Sequence, residues 1–130
     1  MEGIFVTDNL PSGLKIAREY YRKDGWQRKK MCAIYIEKSR MVAAFNSKKT
    51  HPIAAKYKHL QERTHCEISC LQQIKQNNNL NGTLYIYRES FDGHHRMARC
   101  CESCLRYVKD RGIKKIIYTT NDGYVVEHLN

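Results

Sequence analysis

Cys101-Glu102-Ser103-Cys104 constrains this chain more than any other stretch, because a CxxC at the start of a helix puts two sulfurs on one side of it. That helix is predicted to start around Cys100 to Cys101 and to run to Arg111, with Gly112 as its stop. Cys101, Cys104, Leu105 and Val108 share one face, so both thiols are expected to point inward. The helix N-terminus favours their thiolate form through its dipole and free amide hydrogens. Upstream, Thr64-His65-Cys66-Glu67 opens another helix, with Cys70, Leu71 and Ile74 in its buried stripe and Asn77-Asn78-Asn79 at its end. One histidine and two thiolates suit a zinc ion that keeps a fourth position for water. Glu67, two residues after His65, would lie near the metal without ligating it, where it can take a proton from water and pass it on.

The remaining chain supplies strands for these helices to pack on. Ser12 is expected to cap a first helix over roughly Gly13 to Lys23, with Leu14, Ala17 and Tyr21 on one face and Lys15, Arg18 and Arg22 on another. Met31 to Ile36 and Met41 to Phe45 are rich in strand formers, and the polar Glu37-Lys38-Ser39-Arg40 between them reads as a hairpin turn. Asn46 ends the second of these strands. Ser47 to Arg63 is irregular and basic and reads as a rim loop. Thr83 to Tyr87 alternates as a third strand, followed by a polar loop from Arg88 to Arg99 that carries His94-His95. Ile113 to Thr119 and Tyr124 to Glu127 are the last strands, and Asp122-Gly123 in their short connection predicts antiparallel pairing.

At 130 residues, with 42% hydrophobic and 28% charged residues, the chain is expected to be one globular domain over 1–130. The formal net charge of +10 points to a polyanionic partner or substrate, against the alternative of a lysine-rich surface that serves solubility alone. No apolar run approaches the length of a membrane span, and Met1-Glu2-Gly3 lacks the basic and apolar regions of a secretory signal. A cytoplasmic protein with no membrane partner and reduced thiols is therefore expected, four of its six cysteines crowding one proposed site and Cys32 reading as core.

His65-Cys66-Glu67, followed by Arg99-Cys100-Cys101-Glu102-Ser103-Cys104, resembles the signature of the cytidine deaminase superfamily, and the order of elements over roughly residues 31 to 128 resembles it too. The resemblance implies a three-layer α-β-α fold of the α/β class, with a mixed five-stranded sheet flanked by helices. It implies one zinc ion per chain on His65, Cys101 and Cys104, with Glu67 as proton shuttle while activated water attacks C4 of cytosine, releasing ammonia and leaving uracil. Asn46 matches the asparagine that contacts the sugar, and Phe45, His51 and Tyr87 are expected to stack on the base, from their position and aromatic character. Two residues depart from the family pattern. Cys100 stands where proline usually precedes the CxxC, which adds a third thiol beside the metal, and Cys66 stands where alanine is usual, facing the pyrimidine.

Other readings stand beside this one. Thr64 and Glu67 also spell a capping box, and a closed structural zinc site could recruit Cys66, Cys70 or Cys100 as a fourth ligand. A redox-active CxxC would come early, after a first strand, whereas this one follows three strands. The expected substrate is a free cytosine nucleoside or nucleotide, because so short a chain offers little beyond the core for a strand-binding groove, unless a homo-oligomer assembles one. The alternatives are cytosine in single-stranded DNA or RNA, which the charge favours, and a non-catalytic zinc-stabilised nucleic-acid-binding module. Lys48, Lys49 and Arg96, with Arg88 and Arg99, are the expected phosphate contacts.

Overall fold

The computed structural model describes residues 10–23, 31–38, 40–46, 65–75, 80–90 and 92–129. In chain order they form α1 (Ser12–Lys23), β1 (Cys32–Glu37), β2 (Arg40–Phe45), α2 (Cys66–Leu71), β3 (Thr83–Tyr87), α3 (Glu102–Asp110), β4 (Lys115–Thr120) and β5 (Gly123–His128). The strands make one sheet in the order β2-β1-β3-β4-β5. All neighbours are antiparallel except β3 and β4, which run parallel. A parallel pair needs a crossover between its strands, and α3 lies in that crossover.

Both hairpins follow from their turns. Glu37 pairs with Arg40, so the connection is two residues long, and Lys38 takes the left-handed conformation (φ 49°) that such turns demand. Thr120 pairs with Gly123, which leaves Asn121-Asp122 as the second turn and makes Gly123 the first residue of β5. The Asp122-Gly123 signal was thus right about the hairpin and one residue late about its corner.

Alternation along the strands separates two cores. Cys32, Ile34, Tyr87 and Ile117 face α1 and meet its buried stripe of Leu14, Ala17 and Tyr21. Ala33, Tyr35, Leu84, Ile86, Ile116 and Tyr118 face the opposite way, onto Cys66, Ile68, Cys70 and Leu71 of α2 and Cys104, Leu105, Tyr107 and Val108 of α3. This is the expected three-layer arrangement, with both motif helices in one layer. Among the described residues, no helix is long and apolar enough to cross a membrane.

Candidate metal centre

The two motif helices begin side by side. α2 starts at Cys66 with His65 as its N-cap residue, and α3 starts at Glu102 with Cys101 in the same role; neither side chain makes a capping hydrogen bond. Glu67 is therefore the second helical residue, whereas a capping box needs its carboxylate at the third. The capping-box reading fails on register.

His65, Cys101 and Cys104 offer ligand atoms that all lie within 4.8 Å of one another. A tetrahedral zinc with bonds of ~2.3 Å to sulfur and ~2.0–2.1 Å to nitrogen would hold N and S ligands about 3.6 Å apart. His65 Nδ1 stands 3.2 Å from Cys104 Sγ and 3.6 Å from Cys101 Sγ. The spacing and the donor types both fit that ion. Cys104 is fully buried, but Cys101 is exposed, so the expectation that both thiols point inward holds for one of them. The exposed sulfur gives the site an open side. A hydrogen bond from Cys104, and another involving His65, hold the Cys101 thiol far below its usual range, while the same bond and burial push Cys104 up.

Glu67 is 2% exposed, and the Cys66 thiol donates to its Oε1 at 3.4 Å. Burial and the adjacent Glu67 carboxylate push both the Cys66 and the Cys100 thiols well up. The departures from the family pattern therefore gather at the carboxylate. Cys70 donates to the carbonyl of Val42 at 3.3 Å. Among the described residues, neither Cys66, Cys70 nor Cys100 joins the group of three ligands, which speaks against a closed four-ligand site.

No protein-family model matches the sequence, and no curated protein matches it. The structure does have solved counterparts. The dCMP deaminase of cyanophage S-TIM5 superposes with a TM-score of 0.57 at 14% identity over 89% of this chain, both in its apo form (86% of that chain) and in complex with dCMP and dUMP (84%). A cytidine deaminase from Mycobacterium leprae gives a TM-score of 0.52 at 13% identity, covering 94% of each chain. The fold is cytidine deaminase-like.

Within the cytidine deaminase fold, the residues expected to meet substrate scatter. Tyr87 is a correction: it is fully buried on the α1 side of the sheet, edge-on to Tyr21 and His95, with its hydroxyl donating to Glu89 Oε1 at 2.6 Å. It has no face left for a base. Phe45, on the same side of the sheet as Cys32 by register, packs half-buried against the α1 core. Asn46 accepts a hydrogen bond from the Met31 amide at 2.9 Å and so closes the β1–β2 pair. His51, Lys48 and Lys49 lie outside the described residues.

The loop after β3 is better organised than its polar sequence suggested. Thr119 of β4 pins it, donating to the Arg96 carbonyl at 2.8 Å and accepting from the Arg88 amide at 3.1 Å. Arg96 is half-buried and donates to the His95 carbonyl at 3.3 Å. Arg99 is engaged by Glu127 through two bonds of 2.9 and 2.8 Å. His94 is exposed and His95 is buried, so the adjacent pair does not act as one site.

Sequence reasoning passed over Arg111. Buried just beyond α3, it donates to the carbonyls of Leu71 and Ile74 at the end of α2 and to the Tyr107 hydroxyl. The only cue was an arginine four residues after an inward-facing tyrosine, ahead of a helix-stopping glycine.

Proposed function

We propose that this chain is a zinc-dependent deaminase that converts cytosine to uracil in a free (deoxy)cytidine nucleoside or nucleotide. The observation that carries the reading is the buried Glu67 carboxylate, on the same turn as His65, beside a His-Cys-Cys ligand group with an open side. A zinc ion bound there supplies Lewis acidity that makes water nucleophilic at neutral pH. His65, Cys101 and Cys104 hold the ion, and Glu67 accepts a proton from the attacking water. That proton passes to the ring nitrogen as the C4–O bond forms; the carboxylate then takes the second proton from the new C4 hydroxyl and delivers it to the exocyclic amine, so that the C4–N bond breaks, a carbonyl remains at C4 and ammonia leaves. Burial keeps bulk water from short-circuiting these transfers. The likeness to a dCMP deaminase seen with dCMP and dUMP supports a nucleotide-sized substrate.

Cytosine in single-stranded DNA or RNA is the second reading, favoured by the net charge of +10. The test is incubation of the purified, zinc-loaded protein with cytidine, deoxycytidine, their monophosphates and cytosine-containing single strands, following ammonia and uracil. Turnover of the small molecules should exceed that of the strands. Glu67→Gln should lower kcat by about 10²–10⁴-fold while retaining one zinc per chain, and chelation should abolish turnover reversibly. Turnover confined to strands would transfer the reading to polynucleotides. Zinc and nucleic-acid binding with no ammonia release would leave only the binding module.

A further inference from the structure

We infer that Cys66 is a positioning residue, whose thiol anchors one oxygen of Glu67 so that the other is aimed at the reacting atoms. The inference rests on the deaminase reading of the site and adds a residue to it. Glu67 Oε1 has the Cys66 thiol as its donor at 3.4 Å, and the Cys100 thiol is a second hydrogen-bonding neighbour of the same carboxylate. Cys66 therefore holds one named oxygen before any substrate arrives.

The terminal torsion of a glutamate side chain is broad and roughly two-fold, so packing alone leaves a carboxylate free to rotate about its last bond. A proton shuttle must present one lone pair along one line, first to water and then to an amine, and small misplacements are expensive in rate. Cys66 is the first residue of α2 and Glu67 the second, so the anchor and the carboxylate ride on one rigid turn. A buried carboxylate also requires a donor, and Cys66, 1% exposed, supplies it without admitting water. An alanine at position 66 would fill the space and leave Oε1 without that bond.

The test compares Cys66→Ala with Cys66→Ser in the zinc-loaded protein. Removal of the donor should lower kcat roughly 10-fold with KM within about twofold, and serine, which restores a donor, should recover most of it. An independent readout is the S–H stretching band in the infrared: a Cys66 band, identified by its loss in Cys66→Ala, should shift when Glu67 is changed to Gln. Equal kcat in the alanine and wild-type proteins, or a band indifferent to Glu67→Gln, would overturn the inference. If the wild type turns over no cytosine substrate while the band does shift, the contact is real and the deaminase reading is what fails.

Discussion

Replacing Arg111 by methionine tests whether the two halves of the ligand group are held together from the far ends of their helices. The guanidinium lies in a residue only 8% exposed. Its Nη1 donates to the Leu71 carbonyl at 2.9 Å and to the Tyr107 hydroxyl at 2.6 Å, and its Nη2 donates to the Ile74 carbonyl at 2.9 Å. Gln72 donates to the same hydroxyl at 2.6 Å. α2 is six residues long, too short to be stable alone, and Arg111 ties its last residue and the turn after it to α3. Methionine would keep an apolar stem and leave the Ile74 carbonyl without this donor, at about 1–3 kcal/mol, while the Leu71 carbonyl keeps the Ile74 amide at 3.0 Å. Loss of the bonds to the Leu71 carbonyl and the Tyr107 hydroxyl adds to this and relief of the buried charge offsets part of it, so the net destabilisation should be about 1–3 kcal/mol. Urea unfolding at fixed zinc concentration measures it as a lower midpoint with an unchanged m-value. Because α2 carries His65 and α3 carries Cys104, zinc affinity should fall by about 10–100-fold, the range for losing a supporting contact. Arg111→Lys should recover only part, since an ammonium cannot span both carbonyls as a planar fork does. A loss below about 1 kcal/mol with zinc affinity unchanged would refute the reasoning and assign the whole task to core packing.

Two further substitutions probe the loop between β3 and α3. His95 Nε2 is buried without a hydrogen-bond partner, and burial pushes the imidazole pKa down. A folded-state value below the unfolded ~6.5 means that the unfolded chain binds the proton more readily, so stability should fall as the pH drops through that window. His95→Phe keeps a ring against Tyr87 and removes the orphan; it should match the wild type near neutral pH and lose less on acidification, and parallel urea-midpoint profiles would contradict this. Glu127 accepts from Arg99 and Tyr118, and the Arg99 hydrogen bond holds its carboxyl below the usual range. That contribution is present above the unfolded value and is lost as pH falls through the lower folded one. With both side chains partly exposed, Glu127→Gln should cost about 0.5–1 kcal/mol at neutral pH and nothing in strong acid, and a difference that persists in acid would point to packing instead.

What the sequence disclosed tracks the range of the forces involved. Strands and turns are local, and β3 was read to the residue because Thr83 to Tyr87 alternates without interruption. The sheet order and the parallel β3–β4 pair are not local; resemblance supplied only a mixed five-stranded sheet, and the order comes from the structure. Tyr87 shows the limit in the site itself. Its type and neighbourhood suggested stacking on a base, but strand parity puts it on the α1 face, where Glu89 and Tyr21 occupy it. Arg111 was passed over for the same reason: its partners are main-chain carbonyls about 40 residues away, which no residue pattern announces. Arg99 read as a free cation because Glu127, on β5, becomes its neighbour only when the sheet has formed.

The misplacement of the helix starts explains how the ligand group is built. A helix ordinarily begins with serine, threonine, aspartate or asparagine, whose side chain folds back onto an orphan amide and contributes about 1 kcal/mol. α2 and α3 begin with His65 and Cys101 instead, each with extended backbone (ψ 156° and 168°) and no such bond. That backbone is usual for a cap, but here the two side chains meet each other, at 3.6 Å between Nδ1 and Sγ. Cys104, one turn into α3, completes the group from below. Each helix start thereby gives up an oxygen cap, and at α3 the Cys104 amide bonds the Cys101 sulfur instead. That arrangement is costly for an empty protein and favourable for one holding an ion, because metal binding then repays both helices at once. The unusual caps therefore bring together three side chains that could hold a metal ion, and they place Glu67 two residues beyond one of those caps, on the first turn of the helix such an ion would hold down.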